Sequence, residues 1–110
     1  MSPSGPLLRG SLYAATLEHI ASEKYFLVVS NNVRNRQLGT ALAVRLTTTP
    51  KPQLDSIVEM SPEDPLEGGR ILCDDILELF PDEVRTHLGT LTPATMAKVD
   101  LGLKAALGLA

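Results

Sequence analysis

Lys24-Tyr-Phe-Leu-Val-Val-Ser-Asn-Asn32 is the stretch on which the fold turns. Within it, Tyr25–Ser30 is a short, unbroken run dominated by β-branched and aromatic residues. Such a run is too short for a typical helix and has no polar alternation, the pattern of a strand covered on both faces. A cation stands at its entry and a Ser-Asn-Asn cluster at its exit. The strand therefore carries polar chemistry at both ends and none in between.

Upstream, residues 16–23 are polar enough for a loop, and Arg9–Ala15 reads as a short first strand opened by Gly10. Residues 1–8, with two prolines and a glycine, read as a loose N-terminal tail, leaving 9–110 as one domain. Downstream, Asn31–Gln37 contains three asparagines and is expected to turn. Leu38–Leu46 is expected to be a strand with Leu38, Thr40, Leu42, Val44 and Leu46 on one face. Thr47-Thr-Thr-Pro-Lys-Pro52 ends it, because prolines remove ladder donors and threonines bond local backbone. Ser56–Met60 is a further strand, and Ser61–Gly69 a turn-rich connection. Arg70–Cys73 and Ile76–Phe80 read as two short apolar stretches flanking Asp74-Asp75. Pro81–Val84 is expected to form a helical turn and Arg85–Leu91 the last strand.

The plainest helix follows. Thr92 is the expected N-cap and Pro93 sits where a missing N–H costs nothing. Met96, Val99, Leu103 and Leu107 recur at helical spacing with Lys98 and Lys104 toward water, and Gly108 stops the helix. Several short strands with a terminal helix predict a mainly β chain with helices (α+β), arranged as a small, partly open barrel. The helix stripe is expected to serve the core or a dimer seam.

Composition narrows the function. The 110 residues suffice for a single modest core, and at 4% aromatic with no Trp that core must be aliphatic. Cys73 is the only cysteine, so no intramolecular disulfide is possible, and its apolar neighbours Ile71 and Leu72 suggest a buried thiol. No apolar run is long enough to span a membrane, and Met1–Pro6 lacks a signal-peptide pattern, so a cytoplasmic location is expected. Net charge is −3, yet its distribution is uneven. Residues 1–51 carry six basic and two acidic side chains, net +4, whereas 52–110 carry four basic and eleven acidic, net −7. A face for a polyanion should come from the first part.

Few enzyme templates fit. There is no glycine-rich phosphate loop and no Cys/His spacing for zinc, and His19 and His87 stand far apart. Asp74 and Asp75 would point to opposite faces of a strand, which makes a poor cation cage, so neither a metal site nor a cofactor is expected. What remains is polar chemistry at strand ends: Lys24, Ser30-Asn31-Asn32 and Thr47-Thr48-Thr49. Such positions suit a polyanion, although the asparagines and threonines serve turns equally well.

The order of three pieces is more specific. Arg9-Gly before a short strand, Lys24–Asn32, and Ala43-Val-Arg-Leu-Thr-Thr-Thr49 together resemble the MazF/PemK family of toxin endoribonucleases. Leu88–Asp100 with Ala105–Leu109 is similar to that family's final strand and helix, so the likeness runs from about Arg9 to Leu109. It is strongest toward actinobacterial members with a Ser-Asn-Asn-x-x-Asn-Arg segment, here Ser30–Arg36. The resemblance implies an SH3-like, partly open β-barrel of the MazF/CcdB type with a C-terminal helix. It further implies a homodimer that cuts single-stranded RNA without metal or ribosome, restrained by a MazE-like antitoxin. The family's reaction is attack of a 2′-hydroxyl on the adjacent phosphate, leaving 2′,3′-cyclic phosphate and 5′-hydroxyl ends.

By the same resemblance, Lys24 occupies the position of a catalytic arginine that is commonly followed by proline; here Tyr25 follows. Lysine supplies a point charge rather than a planar fork, so Arg34, Arg36 or Arg45 is expected to share phosphate binding. The catalytic threonine falls on Thr47, with Thr48 beside it, and Ser30, Asn31 and Asn32 are expected RNA contacts. Glu18 and Glu23 are approximate counterparts of a loop glutamate in some members, and His19 is an alternative base. Two other readings stay open on the residues: a non-catalytic CcdB-like inhibitor, and an RNA-binding barrel that has lost catalysis. The first depends on an aromatic C-terminal end, whereas this chain ends Leu107-Gly-Leu-Ala110.

Overall fold

The computed structural model describes residues 5–18 and 22–109. Six strands form one antiparallel sheet: β1 (Ser11–Ala15), β2 (Lys24–Val28), β3 (Ala41–Thr47), β4 (Ile57–Glu59), β5 (Arg70–Leu79) and β6 (Val84–Thr90). Their order across the sheet is β4-β5-β3-β2-β1-β6, so β4 and β6 are the edges of an incompletely closed barrel. Helix α1 (Asn32–Leu38) joins β2 to β3, a 3-10 turn (Pro81–Glu83) precedes β6, and α2 (Pro93–Leu107) follows it.

The sheet buries both faces, as the unbroken apolar run of β2 requires. On one face Tyr13, Ala15, Phe26, Val28, Ala41 and Ala43 join Leu7, Leu17, Leu79 and Val84. On the other, Leu12, Leu27, Val44 and Leu46 meet Met96 and Val99 of α2. Phe26, Leu27 and Val28 are each fully buried, and each transfer from water contributes roughly 1.5–3 kcal/mol. Leu7, within the stretch expected to be a tail, is itself buried, and its carbonyl accepts from the Asn35 side chain at 3.1 Å.

Three expectations need correction. Asn31–Gln37 is not a turn. Asn31 caps a helix by accepting from the Arg34 N–H at 2.8 Å, and Gly39 ends it with φ 74, a left-handed conformation that suits glycine. Leu38 therefore closes α1 and is 64% exposed, so it does not share the face of Val44 and Leu46. Leu42, expected on that face, is exposed at 38% and does not join the core cluster of Val44 and Leu46. Finally, Arg70–Cys73 and Ile76–Phe80 are not separate pieces, since β5 runs continuously from Arg70 to Leu79. The ladder shifts between Val44, paired with Ile76, and Arg45, paired with Leu72. The exposed acidic pair sits in that irregularity, where an extra length of strand bends the sheet.

Helix α2 follows its sequence signals. The Thr92 hydroxyl accepts from the Thr95 N–H at 3.2 Å, and Gly108 terminates in the left-handed region. Met96 and Val99 are buried and Leu103 half-buried, while Leu107 emerges into solvent. Gly102 lies against β5 so closely that a Cβ there would come within 2.8 Å of Cys73 Sγ. Asp64, in the β4–β5 connection, clamps the N-terminus of α2. Its carboxylate accepts from the Ser61 N–H (2.8 Å), the Ser61 hydroxyl (3.0 Å), the Thr92 N–H (2.9 Å) and the Thr95 hydroxyl (2.6 Å). Burial alone would raise its pKa, but these hydrogen bonds together outweigh burial and hold it below the ordinary carboxylate value. No helix among the described residues is long and apolar enough to cross a membrane.

Candidate functional site

Lys24 opens β2 and pairs with Ala15 of β1; Thr47 closes β3 and pairs with Arg70 of β5. The β2–β3 register ends at Tyr25 opposite Leu46. Lys24 and Thr47 are the next residues beyond that last pair, so they lie at the same end of neighbouring strands. Alternation then places Lys24, Phe26, Arg45 and Thr47 on one face. Lys24 and Thr47 are both half-buried. Thr47 Oγ1 accepts from the Thr49 N–H at 3.1 Å, which orients the hydroxyl and leaves its proton free to donate. Thr48 is exposed beside it. Arg70 completes the row and forms an ion pair with Glu59 at 3.6 Å; the chain gives no local motif that would have marked it, because only strand pairing brings it to Thr47.

The other end of β2 is built differently. The Ser30 hydroxyl donates to Asn35 Oδ1 and accepts from the Leu42 N–H at 2.8 Å. The Asn35 Nδ2 donates to the carbonyls of Leu7 and Ser30, each at 3.1 Å. Asn31 is the α1 cap, and Asn32 Oδ1 accepts from the Arg9 N–H at 2.7 Å. Arg9 also donates to the Val29 carbonyl at 2.9 Å and pairs with Asp100 of α2. Arg34 donates to the Thr40 carbonyl at 2.8 Å and lies 3.6 Å from Glu78. Arg36 is exposed in the last turn of α1. Ser30 stands six positions after Lys24, about 20 Å of extended chain. The sequence candidates therefore divide into two groups. Lys24, Arg45, Thr47 and Thr48 come together; Ser30, Asn31, Asn32, Arg34 and Arg36 gather at the opposite end.

His19 lies outside the described residues. His87, on exposed β6, faces Tyr13 with ring centroids 5.1 Å apart. Glu18 and Glu23 are exposed on the β1–β2 connection. Among the described residues, no three His, Cys, Asp or Glu side chains gather closely enough to hold a metal ion. Burial, followed by the charge of Asp74, pushes the Cys73 thiol up to about 11, so it stays protonated and inert at neutral pH. A cleft of about 600 Å³ flanks the β4 edge, with Lys51, Arg70 and Lys98 among its lining residues.

Known proteins resemble the chain over nearly its whole length. Residues 8–107 match the family model described as PemK-like, MazF-like toxin of type II toxin-antitoxin system. The chain is 46% identical over 102 residues to Endoribonuclease MazF1 of Mycobacterium bovis, covering 93% of each. A solved endoribonuclease from a mycobacterial species superposes with a TM-score of 0.85 at 44% identity, covering 96% of this chain and 94% of that one. A second, an endoribonuclease in complex with its cognate antitoxin from a mycobacterial species, gives a TM-score of 0.86 at 43% identity, with 94% and 97% covered. The match spans both polar ends of β2, the threonine run and the terminal helix, and on it the chain belongs to the PemK-like, MazF-like toxins of type II toxin-antitoxin systems.

Proposed function

We propose that this endoribonuclease toxin cuts single-stranded RNA in the cytoplasm, with Lys24 and Thr47 at the scissile phosphate. The observation that carries the reading is their place at one end of β2 and β3, on one face, where the Lys24 ammonium has no partner among the described residues. In the reaction, the 2′-oxygen bonds to phosphorus as its proton leaves to a base, and the bond from phosphorus to the 5′-oxygen breaks as that oxygen gains a proton. Lys24 supplies positive charge to the phosphorane and a proton within reach of the leaving oxygen. Thr47 donates its hydroxyl proton to a phosphate oxygen. The nucleophile belongs to the RNA, so holding the backbone in line is much of the catalysis.

The homodimer and the antitoxin belong to the same reading. A cognate MazE-like antitoxin with an acidic, disordered segment would fold onto the cationic surface and block RNA. The mycobacterial relative solved with its cognate antitoxin supports a partner of that kind.

The test is to incubate purified protein with mixed single-stranded RNA in EDTA and map the ends. Cleavage leaving 2′,3′-cyclic phosphate and 5′-hydroxyl ends is expected. Retained RNA binding without any cut would overturn the reading and leave an RNA-binding barrel.

A further inference from the structure

We infer that Arg45 grips the RNA phosphate beside Lys24 and Thr47, supplying the two-pronged binding that a lysine at position 24 does not. The inference rests on the RNA-cleaving reading and assigns a phosphate ligand to a side chain that the fold leaves unsatisfied.

Arg45 Nε is buried, yet it is the one buried side-chain nitrogen or oxygen among the described residues without a hydrogen-bond partner. Buried donors are costly to leave unmade, and a native structure rarely keeps one without a ligand, water or function. Unlike Asn35 and Asp64, Arg45 makes no side-chain hydrogen bond among the described residues. It is held between fully buried Phe26 on β2 and half-buried Leu72 on β5, its direct partners in the ladder. The residue is half-buried, and its guanidinium has no acceptor among the described residues.

Position selects the same residue. Arg45 stands two residues before Thr47 on β3, hence on its face and about 6–7 Å along the strand. Phe26, its partner, stands two residues after Lys24, which makes Lys24 the diagonal neighbour of Arg45, a spacing that long side chains bridge. The other arginines of the cationic part are spent or distant. Arg9 is committed to Val29 and Asp100, Arg34 to Thr40 and Glu78, and Arg36 lies on α1 at the far end. A planar guanidinium with parallel N–H donors matches two phosphate oxygens, whereas an ammonium contributes a single point of charge. Lys24 then stays free for the proton and the developing charge while Arg45 holds the phosphate.

Arg45→Met separates this role from folding, because methionine keeps the apolar stem and removes only donors. Single-turnover and steady-state cleavage of a single-stranded RNA would be measured at several salt concentrations, with Lys104→Met as a charge-matched control on exposed α2. The expected result for Arg45→Met is a fall in kcat/KM of about 30-fold or more, with a melting temperature equal to or above wild type. The slope of log KM against log salt should flatten by about 0.7, the share of one phosphate contact on a single strand. Arg45→Lys should recover part of the loss, and Lys24→Arg added to Arg45→Met should recover more by restoring a fork from the next strand. Equal cleavage by Arg45→Met and wild type, with Thr47→Ala inactive, overturns this inference and leaves the enzyme reading standing. An inactive wild-type protein instead removes the enzyme reading itself. A lower melting temperature with an unchanged salt slope would make Arg45 structural and overturn the inference too.

Discussion

The two ends of β2 carry similar chemistry in sequence and opposite chemistry in space. At the Ser30 end, hydroxyl, amide and guanidinium groups bond one another or the backbone: Ser30 to Asn35 and Leu42, Asn31 to Arg34, Asn32 to Arg9, Arg34 to Thr40. At the Lys24 end, the threonine proton, the lysine ammonium and the Arg45 Nε have no protein acceptor among the described residues. A polar residue marks a binding surface when its hydrogen-bonding capacity is left over, not when it is merely present. The Ser30 end ties β2, α1 and the N-terminal segment together, and the Lys24 end is where a ligand has groups to meet.

Substitutions can break or sharpen this contrast. The largest effect is expected from Thr47→Ala or Lys24→Ala, each lowering kcat about 100-fold, roughly 2.7 kcal/mol of barrier, with little change in melting temperature; rapid-quench assays alongside calorimetry would show a uniform stability loss instead if these residues were structural. Asn35→Ala should do the reverse. Removing the buried amide strands the Leu7 and Ser30 carbonyls and costs about 2–3 kcal/mol in urea unfolding, with turnover per folded molecule close to wild type. Asp64→Asn should cost about 1–2 kcal/mol at neutral pH, since an amide cannot accept all four bonds. Asp64 has a depressed pKa in the fold, so its contribution is complete above the ordinary carboxylate pKa and disappears as pH falls through the lower folded value. Unfolding curves of wild type and Asp64→Asn should converge only in that acid range. The smallest effect is expected from Arg36→Ala, under about three-fold in cleavage and within about 0.5 kcal/mol in stability, as for an exposed charge. A ten-fold loss of RNA affinity there would move the binding surface to the Ser30 end.

The elements legible in the sequence were those whose signals agree locally. Tyr25–Val28 had only one way to bury both faces, and α2 announced itself through Thr92, Pro93 and Gly108. Helix α1 escaped because its asparagines favour turns as strongly as caps; Asn31 and Gly39, eight positions apart, were the cap and stop that could have revealed it. Strand β5 looked broken because Asp74-Asp75 interrupt its apolar run, and only the irregular pairing with β3 accommodates them. At the site, resemblance pointed to Lys24 and Thr47, and the strand bounds place them at the same end of β2 and β3. The separation of Arg45 from Arg34 and Arg36 was beyond reach of the sequence, because it depends on which cations find carboxylates and carbonyls in three dimensions.

The close approach of Gly102 to Cys73 gives the molecule a built-in reporter. The thiol is wholly buried beneath α2, and it is the only one in the chain. A thiol-reactive dye should therefore label the native protein only in moments when the helix lifts from β5. Labelling would advance at the pace of that excursion, and a ligand that stiffens the helix would slow the clock.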